Sequence, residues 1–508
     1  MHLAALRGNH TVMKLLIEKG SDVNAFSQKI GPVINAAIRS GTVDAVKLIM
    51  GGEVHFDVDY TRCDPPLTLS AGISEPGLFR DILQSGKIKW LQNVKLLDQA
   101  LIAASYSGRH ESVCTLLKFE HVYTNNTVED AILSAALEKN WGCVNELLEY
   151  TINDTAKGNR RDVYLDATFY LTATSREEHL DILQKIWEFT RHGVSKDICD
   201  FSLYQATVLN KGSTVGWLLN TCGADANALA QWPKSIAVYA ADTSATTDFL
   251  NPLNAAASSG NVPILAALIE NGAQIDGKRG YALQIAASEG HDDAVNILLE
   301  HGAAVNKKAL DSEELGFFSS TALQAACDNK RVGVVRILMQ HGADPNLGGG
   351  VFTNPITAAT QKAQHEVLEL LVSAPGINVN VVASGDGSTP LINAAAHMSM
   401  ESIELLIRHG ADIDARNADG DTALIMAAWK GDEACVNLLC DAGADVTYRS
   451  PNRGLPLSAA ANGLNPSCAT VLADKMNTSI DSYKEQGQCR NLTKNLNLAN
   501  CPSQNESF

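Results

Sequence analysis

The feature that most restricts the fold of this chain is a spacing of 33 residues between many of its Ala-Ala pairs. It separates Ala4 from Ala37, Ala325 from Ala358, and Ala394 from Ala427. Self-similarity at a fixed period of roughly 20–50 residues indicates a stack of repeated supersecondary units. A chain of 508 residues is also longer than a single core normally supports. We therefore expect an array that grows in one dimension.

The well-preserved units share one order of elements. A turn leads into a short apolar helix with Ala-Ala, then a Gly, a second helix with a Val/Ile/Leu stripe, and a Gly-Ala-Asp-x-Asn end. Paired alanines let two helices approach closely, and the apolar stripe packs against the next unit. The terminal Gly favours the left-handed conformation that ends the second helix. One helix pair buries too little apolar area to offset an ordering cost of about 1–2 kcal/mol per residue, so no unit should fold alone.

Several tandem blocks have this pattern. One begins with Ala282-Leu283-Gln284-Ile285-Ala286-Ala287, passes Gly290 and ends with Gly302-Ala303-Ala304-Val305-Asn306. Three others begin at Thr321, Thr389 and Thr422, and they end with Gly342-Ala343-Asp344, Gly410-Ala411-Asp412 and Gly443-Ala444-Asp445. These units resemble ankyrin repeats. The resemblance implies an all-α, ankyrin-type helix-turn-helix repeat solenoid that is elongated and curved.

The quality of the pattern divides the chain into four segments. Residues 1–227 form a degenerate array of about seven units, and residues 252–474 form a near-consensus array of about seven more. Between them, residues 228–251 lack the pattern, and we interpret them as an irregular insertion or hinge. Residues 475–508 are rich in Asn, Ser and Gln, which predicts a disordered polar tail.

The first unit lacks the turn that normally precedes its first helix. Met1-His2-Leu3-Ala4-Ala5 stands where the family has Leu-His-Leu-Ala-Ala, so an apolar face is expected to lack a cap. Terminal repeats normally present a polar outer face. We expect either a longer native protein or coverage of this face by the tail or by another chain.

The net charge and the cysteine content indicate which binding partners and which cellular compartment to expect. The net charge of -17 disfavours direct binding to nucleic acid or anionic lipid and favours a basic or neutral partner surface. Eleven cysteines without CxxC pairs indicate reduced thiols, hence a cytoplasmic and possibly nuclear protein. No signal peptide and no membrane span is predicted.

The sequence predicts no catalytic residue, no cofactor, no metal site and no small-molecule substrate. It lacks GxxxxGK[ST], HExxH, GxSxG and paired CxxC motifs. Seven histidines stand at repeat boundaries and are interpreted as structural, namely His10, His110, His192, His291, His301, His341 and His409. Four cysteines replace Val or Leu of the second helix and are interpreted as core residues, namely Cys114, Cys143, Cys435 and Cys440. Asp344, Asp412 and Asp445 are expected to bond local backbone.

What remains is a recognition surface for other proteins. The resemblance implies that partners contact the turns and first helices, where this chain has Tyr281, Asn393, His397, Asn417, Asp419, Trp429, Lys430, Tyr448 and Arg449. Trp429 is the leading candidate for contact with a partner, because it follows Ala427-Ala428 at the point where the helix leaves the core. The alternative is that its side chain only packs over a neighbouring residue. Phe317 and Phe318 in an insertion are a second candidate. Four other tryptophans, Trp90, Trp141, Trp187 and Trp217, are expected to fill irregular packing in the degenerate array.

Three functional hypotheses follow. The first is a non-catalytic intracellular scaffold or adaptor for protein-protein interaction. The second is a nuclear transcriptional co-regulator of ankyrin type. The third is the C-terminal sensor or binding half of a larger enzyme or signalling ATPase that extends before Met1.

Overall fold

The structure, a computed structural model, consists almost entirely of helices joined by short turns. It describes residues 1–54, 63–73, 76–84, 94–119, 123–153, 163–190, 193–229, 251–277, 281–308, 321–349, 354–362 and 364–485. Those residues form 28 helices in fourteen consecutive pairs, as expected for about fourteen units. The chain divides into two compact units, Met1–Ala245 and Thr246–Phe508, with seven pairs in each.

The first unit contains helices of very different length. Its helices are α1 His2–Leu6, α2 His10–Glu18, α3 Val33–Ser40, α4 Val43–Met50, α5 Pro66–Ile73, α6 Pro76–Gln84, α7 Val94–Tyr106, α8 His110–Leu117, α9 Asn125–Leu137, α10 Trp141–Asn153, α11 Val163–Ala173, α12 Leu180–Phe189, α13 Lys196–Val208 and α14 Gly212–Asn220. Two short antiparallel strands, β1 Phe26–Ser27 and β2 Gly31–Pro32, form the turn before α3.

The second unit is more regular. Its helices are α15 Pro252–Ser259, α16 Val262–Glu270, α17 Ala282–Glu289, α18 Asp292–Glu300, α19 Ala322–Asp328, α20 Val332–Gln340, α21 Pro355–Gln361, α22 His365–Val372, α23 Pro390–Ala396, α24 Met400–Arg408, α25 Ala423–Lys430, α26 Glu433–Asp441, α27 Pro456–Asn462 and α28 Pro466–Glu485.

The helices stack in the way that the apolar pattern predicts. First helices pack on first helices, as α17 does on α15 and α19, and second helices pack on second helices, as α18 does on α16 and α20. Ala286 and Ala287 of α17 are fully buried, as are Val295 and Leu298 of α18. In these pairs of the second unit, the paired alanines and the aliphatic stripe therefore form one continuous core.

At several junctions, the residue just before a second helix ties neighbouring pairs together. Its side chain donates hydrogen bonds to carbonyls at the end of the preceding pair's first helix, as Arg331 does to Ser288 (2.9 Å) and Asn465 does to Trp429 (2.9 Å). The Gly that ends the first helix leaves room for this side chain. At Gly290, where φ is 86°, a Cβ would lie 2.6 Å from Arg331 Cδ. That crowding explains why Gly recurs at this position.

In the second unit, a ladder of Asn and Asp side chains runs along the ends of the second helices. Asn346 accepts a hydrogen bond from the amide of Asn378 (2.8 Å) and donates one to the carbonyl of Gly376 (3.0 Å). Asn306, Asn380 and Asp414 accept equivalent bonds from Asp344, Asp412 and Asp445. Those last three carboxylates each accept from the amide two residues later, which confirms the predicted local role.

Several structural interpretations of single residues are confirmed. His301, His341 and His409 each donate from Nδ1 to the carbonyl four residues earlier, at the C-terminus of a second helix. Cys143 and Cys435 are buried, as expected for core residues. Cys114 and Cys440 are half-buried, so their assignment to the core holds only in part. His192 and Trp90 lie outside the described residues.

Both ends of the chain differ from the ends of a regular repeat array, in which the terminal repeats have polar outer faces. Helix α28 extends to Glu485, so the tail boundary predicted at Lys475 falls inside a helix; its apolar positions, including Leu472, pack against the preceding pair. Residues 486–508 lie outside the described residues, as do residues 230–250 of the predicted hinge. At the other end, Leu3 and Leu15 are 72% and 57% exposed, as expected for an apolar face without a cap.

Candidate protein-binding surface

The strongest group of predicted surface residues lies at the end of α25 and in the turns before α25 and α27. We name it the Trp429 surface and define it by the following residues: Arg416, Asp419, Trp429, Lys430, Tyr448, Arg449 and Arg453. Helix α25 ends at Lys430, and Gly431 follows with a φ of 89°. The Ala-Ala pair is fully buried, so the helix leaves the core at Trp429.

The indole of Trp429 contacts two cations. The guanidinium carbon of Arg453 is 4.6 Å from the ring centroid, and the Lys430 ammonium nitrogen is 5.0 Å from it. The side chain is 38% exposed, although cation-π contacts of about 0.5–1 kcal/mol each restrict its motion. Part of the ring therefore remains open to a partner.

A buried carboxylate fixes Arg453 in this position. Asp421 has a fully buried side chain, and it forms an ion pair with Arg453. Its other oxygen accepts a 2.6 Å hydrogen bond from Ser450 Oγ. Since a buried charge is costly without a partner, Arg453 is held by its ion pair and is not a freely moving surface side chain.

Further contacts join the two turns. The hydroxyl of Tyr448 donates to the carbonyl of Gly420 (3.0 Å), and the Arg416 guanidinium lies 4.1 Å from the Tyr448 ring centroid. Asn452 Nδ2 donates to Asp419 Oδ1 (3.0 Å). The side-chain oxygen of Asn417 accepts from the amide of Asp421 (2.8 Å). Asn417 therefore closes its own turn, while Asp419 and Tyr448 link neighbouring turns.

The structure brings four of the predicted residues to these adjoining turns, namely Asp419, Trp429, Lys430 and Tyr448, with Asn417 as a structural support. Arg449 follows Tyr448 in the turn before α27 and is exposed. His397 is exposed at the end of α23, one pair earlier. Phe317 and Phe318 lie outside the described residues.

Two of the predicted surface residues are buried, so their placement on a free surface is wrong. Tyr281 is 9% exposed, and its amide donates to Asn254 of the preceding pair. Asn393 is 5% exposed within α23.

Three members of the surface arrangement were missed from the sequence, namely Arg416, Asp421 and Arg453. Arg453 stands 33 residues after Gly420, so the repeat spacing could have placed the two turns side by side. It could not have shown that the guanidinium extends over Trp429. The resulting surface combines an aromatic face with four cations, a composition suited to recognition of a partner side chain.

Comparison with known families decides the classification. A family model described as ankyrin repeats in three copies matches residues 203–309 and 356–450, and a single ankyrin repeat model matches residues 1–27 and 319–349. Together they cover about half of the chain. The chain belongs to the ankyrin repeat family. The predicted all-α repeat fold is thereby confirmed.

Relatives of this ankyrin repeat chain include much longer proteins. It is 33% identical over 162 residues to the Caenorhabditis elegans ankyrin repeat and KH domain-containing protein mask-1, a match that covers 32% of this chain and 6% of that protein. It is 29% identical over 166 residues to the Arabidopsis thaliana potassium channel AKT2/3, covering 32% of this chain and 19% of that one. The chain thus corresponds to a minor part of these curated relatives.

Among solved structures, the ankyrin repeat domain of Bcl-3 shares 25% sequence identity with the chain. That match covers 44% of this chain and 98% of that domain, with a TM-score of 0.38. Human ASB11 matches at 27% identity over 44% of this chain and 97% of its ankyrin repeat domain, also with a TM-score of 0.38.

Ankyrin repeats are protein-protein interaction modules, and the fold is typically non-catalytic. None of the helices within the described residues has the length and apolar character needed to cross a bilayer.

Proposed function

We propose that this ankyrin repeat chain is a non-catalytic scaffold or adaptor that holds a partner protein on the Trp429 surface. The observation that supports the proposal is the position of Trp429, an exposed indole in contact with Lys430 and Arg453 at the end of a first helix. Tryptophan and arginine are enriched among the residues that dominate binding energy at interfaces. A side chain that is already positioned also loses less conformational entropy on binding.

The local charge indicates which segment of a partner binds there. The chain as a whole has a net charge of -17, which favours a basic or neutral partner surface. The Trp429 surface, however, contains four cations and one exposed carboxylate, because Asp421 is buried and paired. We therefore propose a partner segment that combines an acidic residue with an apolar side chain for the indole face.

The test compares Trp429 with an aromatic residue at the equivalent position of the first unit. Asn140 donates to the carbonyls of Ser105 and Tyr106, just as Asn465 donates to those of Ala428 and Trp429. Tyr106 is 56% exposed, so Tyr106→Ala is a matched control for Trp429→Ala. Affinity purification with mass spectrometry on the full chain should show proteins that Trp429→Ala loses and Tyr106→Ala retains.

The affinity for a partner found in this way should then be measured with purified components. Trp429→Ala is expected to raise the Kd by about 30-fold or more, which corresponds to the loss of about 2 kcal/mol of binding free energy that defines an interface hot spot. Equal binding by wild type and Trp429→Ala would contradict the proposed surface. The co-regulator and larger-enzyme hypotheses are tested separately, by the location of the tagged protein in cells and by the reading frame upstream of Met1.

A further inference from the structure

Three side chains of different chemistry meet on the second helices of the fourth and fifth pairs. His110 and Cys114 belong to α8, and Glu146 belongs to α10. Their nearest ligand atoms all lie within 4.8 Å of one another. His110 Nε2 is 3.4 Å from Glu146 Oε1, and Cys114 Sγ is 3.9 Å from the His110 ring nitrogens.

Helix geometry explains why these groups converge. His110 and Cys114 are four residues apart, so both project from the same face of α8. Helix α10 packs against that face, because α8 and α10 are second helices of adjacent pairs. Glu146 lies one turn after Trp141 on α10, and its carboxylate reaches across to α8. The cluster therefore joins two neighbouring repeats.

The 3.4 Å separation of His110 Nε2 and Glu146 Oε1 matches that of two ligands of a tetrahedral metal ion, whereas Cys114 Sγ, 3.9 Å from the ring nitrogens, must come slightly closer. Zinc binds imidazole nitrogen and carboxylate oxygen at about 2.0–2.2 Å and thiolate sulfur at about 2.3 Å, so ligand atoms in a tetrahedron lie roughly 3.3–3.8 Å apart. The sulfur is equidistant from both ring nitrogens, so the imidazole must rotate to direct one lone pair at the shared centre. His110 has an exposed side-chain fraction of 49%, which leaves it free to turn.

The exposure of the cluster separates it from ordinary core packing. Cys114 occupies a position where the repeat favours a buried Val, but it is only half-buried and lines an open cavity of about 510 Å³ with His110 and Lys118. Glu146 has an exposed side-chain fraction of 34%. A metal ion could therefore enter from solvent without any movement of the backbone.

We propose that His110, Cys114 and Glu146 bind one zinc ion, which links the fourth repeat to the fifth. The combination of nitrogen, sulfur and oxygen ligands favours Zn²⁺ over the oxygen-binding ions Mg²⁺ and Ca²⁺. Binding forms one Zn–S bond and releases the thiol proton of Cys114 to solvent. A water molecule completes the four-coordinate shell. Since the thiolate and the carboxylate carry two negative charges, they neutralise the ion.

The full chain, stripped with a chelator and kept reduced, is titrated with Zn²⁺ against a competing indicator. One equivalent should bind tightly, and Co²⁺ in its place should produce a thiolate-to-metal charge-transfer band. Cys114→Ser, His110→Ala and Glu146→Gln should each weaken Zn²⁺ binding by about 100-fold or more, beyond the 10–100-fold typical of groups outside the first coordination shell. Cys114→Ser should also abolish the cobalt band.

Cys440→Ser is the matched control, because Cys440 is likewise a half-buried thiol on a second helix, and it should leave both signals unchanged. Circular dichroism of each variant shows that the fold is intact, as expected for the exposed His110 and Glu146. The proposal is overturned if the wild-type chain binds no equivalent of Zn²⁺, or if Cys114→Ser retains wild-type affinity and the cobalt band.

Discussion

The two units reach the same stacked helix pairs by different chemistry. In the second unit, apart from α28, every helix has seven to nine residues. In the first unit, α7, α9, α10 and α13 each have 13 residues. The Asn/Asp ladder described above lies among the helices of nearly constant length in the second unit.

Aromatic packing takes the place of this regularity at the end of the first unit. The Trp187 ring contacts Phe169 and Trp217 with centroid distances of 6.4 and 6.2 Å, and Tyr170 stacks on Phe201 at 5.5 Å. Large rings fill variable gaps between helices that do not superimpose on one another. A consensus pattern is therefore one way to stack such pairs, and a well-filled aromatic core is another.

The largest expected effect comes from removal of an aromatic residue in the first unit. Trp187 is 7% exposed, so Trp187→Ala leaves a large cavity and should destabilise that unit by about 3–5 kcal/mol. Hydrogen-deuterium exchange of the full chain should show faster exchange in α11 to α14, with smaller changes in α16 to α24. Trp141→Ala is the control, because that ring is half-buried and pairs with the His179 ring at a centroid distance of 4.9 Å. Equal effects of the two substitutions would refute the aromatic core.

A somewhat smaller effect is expected in the aliphatic core of the second unit. Leu298 is fully buried, and Leu298→Ala should lower the free energy of unfolding by about 2–5 kcal/mol. Trp429→Ala in the same unit should cost about 1–2 kcal/mol, because the exposed ring loses two cation-π pairs of about 0.5–1 kcal/mol each. Chemical denaturation monitored by circular dichroism measures both. Similar losses would mean that Trp429 is a packing residue and not a binding residue.

The contrast between the units also shows which features the sequence could predict. The Ala-Ala pairs, the terminal Gly and the aliphatic stripe depend only on spacing along the chain, so the helix pairs and their stacking followed from them. The aromatic contacts of Trp187 were anticipated only as irregular packing, because ring orientation depends on helices that lack a common register. The continuation of α28 beyond Lys475 was missed because the sequence there is mostly polar and has no sustained apolar stripe.

The candidate surface was predictable in location but not in detail. Trp429 was identified because a large residue directly after a buried Ala-Ala pair must leave the core. Arg453 was not identified, since its position over the Trp429 ring depends on the ion pair with Asp421 on a neighbouring turn. Likewise, His110 and Cys114 were interpreted separately, because the approach of Glu146 from the next pair is a tertiary contact.

The smallest expected effect concerns the ladder itself. Asn346→Ala removes both the acceptor for the Asn378 amide and the donor to the Gly376 carbonyl. Both bonds are exposed to water, so each contributes about 0.5–1 kcal/mol, and the substitution should lower the free energy of unfolding by about 1–2 kcal/mol. Asn271→Ala is the control, because among the described residues Asn271 donates within its own pair, to the carbonyl of Ala267. If the ladder couples neighbouring pairs, hydrogen exchange in Asn346→Ala should rise at the ends of both α20 and α22, whereas Asn271→Ala should affect α16 alone. A rise confined to α20 would show that stacking in the second unit, as in the first, rests on its apolar core.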